Sequence, residues 1–420
     1  MINKLIFSIL FFFLFYAPAW AEFKTASIYS NVEKSVYQIR VINKQTGKKS
    51  SIGSGFVVVK NNILATNYHV VSEFVNDPEV FTLEYLSTDG KTGPLELIDF
   101  DIVHDLAVVK ANKPMGTPLK ISYLPEKGAN LYSLGNPLDL GFTIIKGTNN
   151  GILSKDEDGN ILFSGSLNPG MSGGPTLDEQ GNIVGINVAT SGNNISFLVP
   201  AEYLRVVLDR LEKNSFSPVD DRFAHSSKQL RANAKKILNK MLNNKWSATK
   251  IGSFIVPAEL DKSLRCWDAS RTPKKDDLYL SYFTRCSNED NIYLSSQLDV
   301  GSINYEYMWL ETDKLSPARF YRRYERVNNS IIGSHATKRD VTNFFCHTDF
   351  TKIAGQDFKT TVCRRDYLKY TGLSDMLFTT AMVGKKNKGF IFNLDLTGTD
   401  ASTSLKLFKH MLENFKWVKK

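Results

Sequence analysis

The 420-residue chain contains no CxxC pair, and its four cysteines, Cys266, Cys286, Cys346 and Cys363, all lie in the C-terminal half. A structural zinc site of the usual spacing is thereby excluded, and Cys346-His347 alone is too little to replace it. After residue 21 no segment is long and apolar enough to cross a bilayer. No internal repeat is visible, and no DNA- or RNA-binding motif accompanies the basic residues. No motif implies a metal or an organic cofactor, so neither nucleic acid nor a cofactor is expected. What is present is globular: 42% hydrophobic and 23% charged residues suit a buried core and rule out collagen-like, disordered and coiled-coil chains. The length suits two or three domains.

Charge divides the chain. Residues 1–215 carry 18 basic and 21 acidic side chains, whereas residues 216–420 carry 34 and 22. The halves are therefore expected to be different objects, the basic one with scope for a partner of its own. At the N-terminus Lys4 precedes the apolar run LIFSILFFFLFYAPAW, and Ala19-Trp20-Ala21 makes a small-x-small ending. This pattern predicts a secretory signal over residues 1–21, cut after Ala21. An uncleaved anchor is the alternative, but the run of 16 residues falls short of the roughly 20 that span a membrane. Export to a bacterial periplasm or beyond agrees with an even number of cysteines, which then form disulfides. Four cysteines allow three pairings, among which the sequence does not choose; Cys266–Cys286 with Cys346–Cys363 is the favoured set, because each pair brackets a stretch able to form a hairpin.

From Ser35 to Phe197 short apolar runs (VYQIRVI, GFVVV, NILAT, FTLEYL, LAVVK, NLYSLG, NIVGINV) alternate with Gly, Asn, Asp and Pro. Such spacing predicts an all-β sandwich or barrel. A helix closes the segment: after Pro200, Leu204, Val207, Leu208 and Leu211 recur at helical spacing. Three stretches carry reactive groups: ILATNYHVV with His69 at a strand end, DFDIVHDLAVVK with Asp105 before a strand, and NPGMSGGP with Ser172 in a glycine-rich turn. Each alone is weak. Together they stand in the order His, Asp, Ser, one of three chain orders known for this triad. His104 adjoins Asp105 but should face away from it. Asp101 is the runner-up for the acid, and Asp99 a further rival.

The segment from about Gly53 to Arg205 resembles a trypsin-like serine protease of the bacterial HtrA/Deg type, through GSGFVV, ILATNYHVV, HDLAVVK, SLGNPLDLGFTIIKGTNNGILS, NPGMSGGPTLDEQGNIVGIN and ISFLVP. The resemblance implies two six-stranded β-barrels with a cleft between them. It gives Ser172 the role of nucleophile, His69 that of base and Asp105 that of orienting acid. A serine hydroxyl needs an adjacent base at neutral pH, imidazole suits that task, and the acid would fix its tautomer. Gly170 and Gly173 permit a tight turn, so that the N–H groups of Gly170 and Ser172 form an oxyanion hole. The resemblance also places Ser166, Leu167, Asn187, Val188 and Ala189 around the primary specificity pocket. No acidic residue stands there, which predicts cleavage after small uncharged residues. The chain departs from the family in three places: no PDZ-like segment follows residue 215, the NKQTGKKSS stretch between the first two strands is short where some members carry a long loop, and Met171 stands where Asn or Asp is common.

The protease domain is expected over residues 22–213 and a linker over 214–227. A basic, disulfide-bonded α+β domain of unrecognised type is expected over 228–420. Its helices are read near Ser227–Asn244 and Ala401–Trp417, the latter burying Leu405, Phe408, Leu412 and Phe415, with strands between Phe254 and Tyr307. Ser316-Pro317 opens a further helix whose Arg319, Arg322, Arg323 and Arg326 share one face. That face is either an anion-binding surface for an envelope component or simply solvated; Phe320, Tyr324 and Val327 would face inward. The sequence thus points to an exported serine endopeptidase. A catalytically silent protease fold and an esterase are the alternatives.

Overall fold

The computed structural model describes residues 20–153, 159–190, 192, 194–288, 291–328 and 334–418. Nearly all of the expected signal segment lies outside the described residues. Among those described, no helix is long and apolar enough to cross a membrane.

Chain entry is a helix that the sequence reading did not anticipate, α1 (Trp20–Val32), which buries Ile28 and Val32. Six strands follow: β1 (Val36–Asn43), β2 (Lys49–Val57), β3 (Ile63–Thr66), β4 (Phe81–Leu86), β5 (Thr92–Asp101) and β6 (Leu106–Ala111). They close into an antiparallel barrel in the order β1-β2-β3-β6-β5-β4. A short helix, α2 (Tyr68–Asn76), leaves β3 and packs on this barrel. The second barrel contains β7 (Asn130–Gly135), β8 (Thr143–Ile152), β9 (Ile161–Phe163), β10 (Pro175–Leu177), β11 (Ile183–Thr190) and β12 (Ser196–Pro200). Its order is β10-β11-β12-β9-β8-β7. Closure leaves no strand edge unpaired, which is how short antiparallel strands become stable. After Pro200, α3 (Ala201–Lys213) buries Leu204, Val207, Leu208 and Leu211 as its periodicity predicts.

The basic half begins earlier than expected. Helix α4 (Arg222–Asn243) starts within the anticipated linker, because the Asp221 carboxylate caps it by accepting the Ala224 N–H. Strands β13 (Ala248–Ile251) and β14 (Phe254–Pro257) pair next to each other. The strands β15 (Arg265–Asp268), β16 (Leu280–Ser287), β17 (Ile292–Ser295), β18 (Leu298–Val300) and β19 (Ile303–Glu311) come next, followed by α5 (Pro317–Val327). Then come β20 (Phe345–Ile353), β21 (Gln356–Asp366), β22 (Ser374–Met382), β23 (Lys388–Thr399), α6 (Ala401–Glu413) and β24 (Lys416–Trp417). A seven-stranded antiparallel sheet runs β15-β16-β19-β23-β22-β21-β20, while β17 and β18 form a separate hairpin.

Strand alternation divides this sheet into two apolar faces. Tyr305, Tyr307 and Trp309 point toward α4 and α6, whereas Leu310 and Ile391 point toward Phe320 and Tyr324 of α5. The C-terminal helix corrects the expected stripe. It ends at Glu413 and buries Ser404, Leu407, Phe408 and Met411, while Leu405 is exposed and Phe415 is buried beyond the helix end. Both disulfides are cross-strand, Cys266–Cys286 between β15 and β16 and Cys346–Cys363 between β20 and β21.

Candidate active site

Residue 69 is not at a strand end. The chain leaves β3 at Thr66 and turns at once into α2, so His69 sits in that helix's first turn. Helix starts carry N–H groups without intrahelical acceptors. Here Asp105, in the β5–β6 turn, supplies those acceptors. Its carbonyl takes the Tyr68 N–H (3.1 Å) and the Asn67 side-chain amide (2.8 Å), and its carboxylate takes the His69 N–H (2.8 Å). The other carboxylate oxygen lies 2.7 Å from His69 Nδ1. With both carboxylate oxygens accepting, Nδ1 carries the proton and Nε2 is left as the acceptor. Asp105 holds this pose with a left-handed backbone (φ +53), which aspartate tolerates better than most residues. Burial pulls the imidazole toward its neutral form, but the charge and hydrogen bond of Asp105 outweigh that and raise its pKa above the ordinary 6.5.

The two rival acids are engaged elsewhere. Asp101 accepts from His104 (2.7 Å to Nδ1), whose ring stacks on Tyr203. Asp99 binds Arg210 (2.7 Å) and His225 (3.0 Å).

Ser172 lies in the turn between Asn168 and Gly174. This turn is locked to the first barrel. The Ser54 N–H donates to Ser172 O (2.7 Å), and Ser54 Oγ donates to Gly170 O (2.7 Å). A Cβ on Gly173 (φ +83) would fall 2.3 Å from Ser54 O and 2.8 Å from the Asn67 nitrogen, so the serine turn sits against the segment that carries His69. A Cβ on Gly170 (φ +94) would fall 2.5 Å from Asn136 O. Only glycine fits either position without strain. The Met171 N–H is used within the turn, but among the described residues the N–H groups of Gly170 and Ser172 find no acceptor. The Ser172 hydroxyl donates to Val188 O (3.2 Å) and makes no hydrogen bond to His69 among the described residues.

Of the expected pocket residues, Ser166 pairs with Asn194, and Leu167 is buried. Val188 is half-buried, and the Ala189 side chain lies outside the described residues. Asn187 is wholly engaged within the barrel. Its oxygen accepts from Ser133 and Thr176 (2.6 Å each), and its amide donates to Leu134 O (3.0 Å) and Met171 O (3.1 Å). It braces the turn from behind. On α5, Arg319, Arg322, Arg323 and Arg326 are all exposed, and Arg323 lies over the Tyr279 ring (5.0 Å). Phe320 and Tyr324 are buried, as the helical pattern requires. Among the described residues no group of three or more His, Cys, Asp or Glu could hold a metal ion.

One neighbour of the site has no signal in the sequence. Tyr293, on β17 of the C-terminal half, presents its ring edge-on to His69, with centroids 6.1 Å apart and planes at 75°. Only tertiary packing brings the two together.

The family model for the trypsin-like peptidase domain matches residues 53–186. Serine protease HTRA2, mitochondrial, of Drosophila willistoni is 33% identical over 172 residues, 38% of this chain and 38% of the relative. Protease Do-like 1, chloroplastic, of Arabidopsis thaliana is 30% identical over 176 residues, 38% of this chain and 39% of its own length. The probable periplasmic serine endoprotease DegP-like of Brucella suis biovar 1 (strain 1330) is 33% identical over 174 residues, 38% of this chain and 33% of its own length. The match thus spans less than half of these relatives. Among solved structures, the crystal structure of Deg5 aligns with 46% of this chain and 95% of its own at 23% identity, with a TM-score of 0.40. With its two closed six-stranded barrels, the N-terminal part has a chymotrypsin-like fold, and the segment over residues 53–186 matches the trypsin-like peptidase domain and is similar to serine proteases of the HtrA type.

Proposed function

We propose that the protein is an exported serine endopeptidase that uses Ser172, His69 and Asp105. The observation that carries this reading is the His69–Asp105 clamp, held against a glycine-borne serine turn whose Gly170 and Ser172 N–H groups are free to receive an oxyanion. On this reading the Ser172 hydroxyl leaves Val188 O and gives its proton to His69 Nε2 as Oγ attacks the scissile carbonyl carbon. The negative charge that develops on the carbonyl oxygen meets the two N–H donors; one such donor is worth roughly 10²–10³ in rate. Collapse breaks the C–N bond, and the proton passes from His69 to the leaving amine. Water then repeats the sequence on the acyl-enzyme. Ser166, Leu167, Val188 and Ala189 bring no charge to the expected pocket, which supports cleavage after small uncharged residues.

The relatives' printed compartments differ (mitochondrial, chloroplastic, periplasmic) and so do not choose one for this chain. Export rests on residues 1–21 and on two disulfides, which persist in oxidising surroundings. A second reading, a catalytically silent protease fold acting through its basic half, draws on one observation: the Ser172 hydroxyl bonds to Val188 O instead of His69. Catalytic hydrogen bonds often tighten only when substrate is bound, so this geometry is compatible with activity. Cleavage of unfolded casein separates the two. The endopeptidase reading expects cleavage by the wild type and none by Ser172→Ala. Equal fragment patterns from both, or none from either, would support the silent fold.

A further inference from the structure

The C-terminal half does not hang from a linker. Its Leu294, Leu298, Val300 and Tyr370 bury in the same apolar cluster as Tyr68, Val71 and Val75 of α2, the helix that carries His69. The hairpin β17–β18 is fastened to that helix at one carbonyl. Tyr68 donates its phenol proton to Leu294 O (3.2 Å), and the Asn76 amide donates to the same oxygen (3.0 Å). Tyr370 adds a bond to Asn76 Oδ1 (3.3 Å). The preceding residue, Tyr293, packs on the same cluster just before an irregularity in the hairpin register and meets the His69 ring in a T-shaped contact (6.1 Å, 75°). Burial pushes the Tyr293 phenol above its ordinary value, and the adjacent Ser72 hydroxyl offsets part of that push. Ser72 in turn donates to the His69 carbonyl (3.0 Å), so ring, helix turn and imidazole form one contact.

We propose that Tyr293 is a positioning residue of the protease site, through which the C-terminal domain walls the His69–Asp105 pair and fixes the imidazole. The proposal rests on the endopeptidase reading above. An aromatic edge against an imidazole restricts its rotation and keeps water from the His–Asp bond, and small misplacements of a catalytic group are costly in rate. Removing the ring lets water reach His69 and relieves the burial that favours its neutral form, so its pKa should rise further. The titratable groups facing the imidazole are Asp105 from the β5–β6 turn and Tyr293 from β17, with Glu73 of α2 beside Tyr293.

The test uses the full chain and follows cleavage of a fluorogenic peptide against pH, with fluorophosphonate labelling of Ser172 as a check on the serine. Tyr293→Leu is expected to lower kcat by about tenfold with little change in KM. It should also move the acidic limb of kcat upward by about half a pH unit. Tyr293→Phe, which keeps the ring edge, should match the wild type. Leu298→Ala, in the same hairpin but buried in the domain contact, should lower the melting temperature and leave the limb in place. The proposal is overturned if Tyr293→Leu keeps wild-type kcat and limb, or if Leu298→Ala moves the limb as far as Tyr293→Leu does. A wild type that neither labels nor cleaves would sink the endopeptidase reading itself, and the proposal with it.

Discussion

His69 titrates under two opposed influences. Burial favours the neutral ring, while the charge and hydrogen bond of Asp105 favour the protonated one, and the result lies above 6.5. A general base must be neutral, so activity is lost as the pH falls through that raised value. The acidic limb of kcat/KM is therefore expected above pH 6.5, and a limb at or below it would contradict the clamp. In stability the sign is reversed: the contribution is present below the ordinary value of about 6.5 and is lost as the pH rises through the folded one. The candidate residues of this site could be read from the order His, Asp, Ser and from the family resemblance, since each motif alone is weak. Gly170 and Gly173 announce a turn that only glycine can make, and Asp105 stands where a turn feeds a strand. Asn187 was expected around the specificity pocket from the family resemblance alone. Its use of every side-chain bond inside the barrel depends on Ser133, Leu134, Met171 and Thr176, which the sequence does not bring together.

Among the elements, β5 provides a second junction between the halves beside that of α2 with β17. A register shift between Leu97 and Asp99 leaves Asp99 buried and bound to Arg210 of α3 and His225 of α4. Gln229 of α4 adds bonds to the Phe100 carbonyl and the Ile102 N–H (2.9 Å each). Burial alone would raise the Asp99 carboxyl, but the hydrogen bonds from His225 and Arg210 outweigh it and hold the pKa below the ordinary range. Its stabilisation is therefore full above the ordinary carboxylate value and is lost as the pH falls through the lowered one. Asp99→Asn is expected to cost about 3 kcal/mol near neutrality, since it leaves buried partners unpaired. It should also flatten the fall in melting temperature below about pH 4. Thermal unfolding of variant and wild type across that range checks both, and a variant with wild-type stability at pH 7 would refute the latch. Helix α3 was readable because Pro200 marks its start and one apolar stripe runs its length. Helix α6 was not, because its apolar residues fit two stripes, and only packing on β22 and β23 chooses Leu407 and Met411 over Leu405 and Leu412.

At the scale of the whole molecule, the charge asymmetry sets the two halves apart, but it gives no hint that they share a core. Tyr68 and Leu294 meet across most of the chain, and no periodicity or motif records such a contact. Helix α1 was missed for a similar reason: it is fixed by burying Ile28 and Val32 against the barrels, not by a stripe of its own. The central claim is chemical and concerns a single oxygen atom. Mass-spectrometric mapping of a fluorophosphonate adduct on the full chain tests it most directly. The account predicts modification at Ser172, and none there once His69 is replaced by alanine. An adduct confined to another serine, or no adduct on the folded wild type, would contradict it.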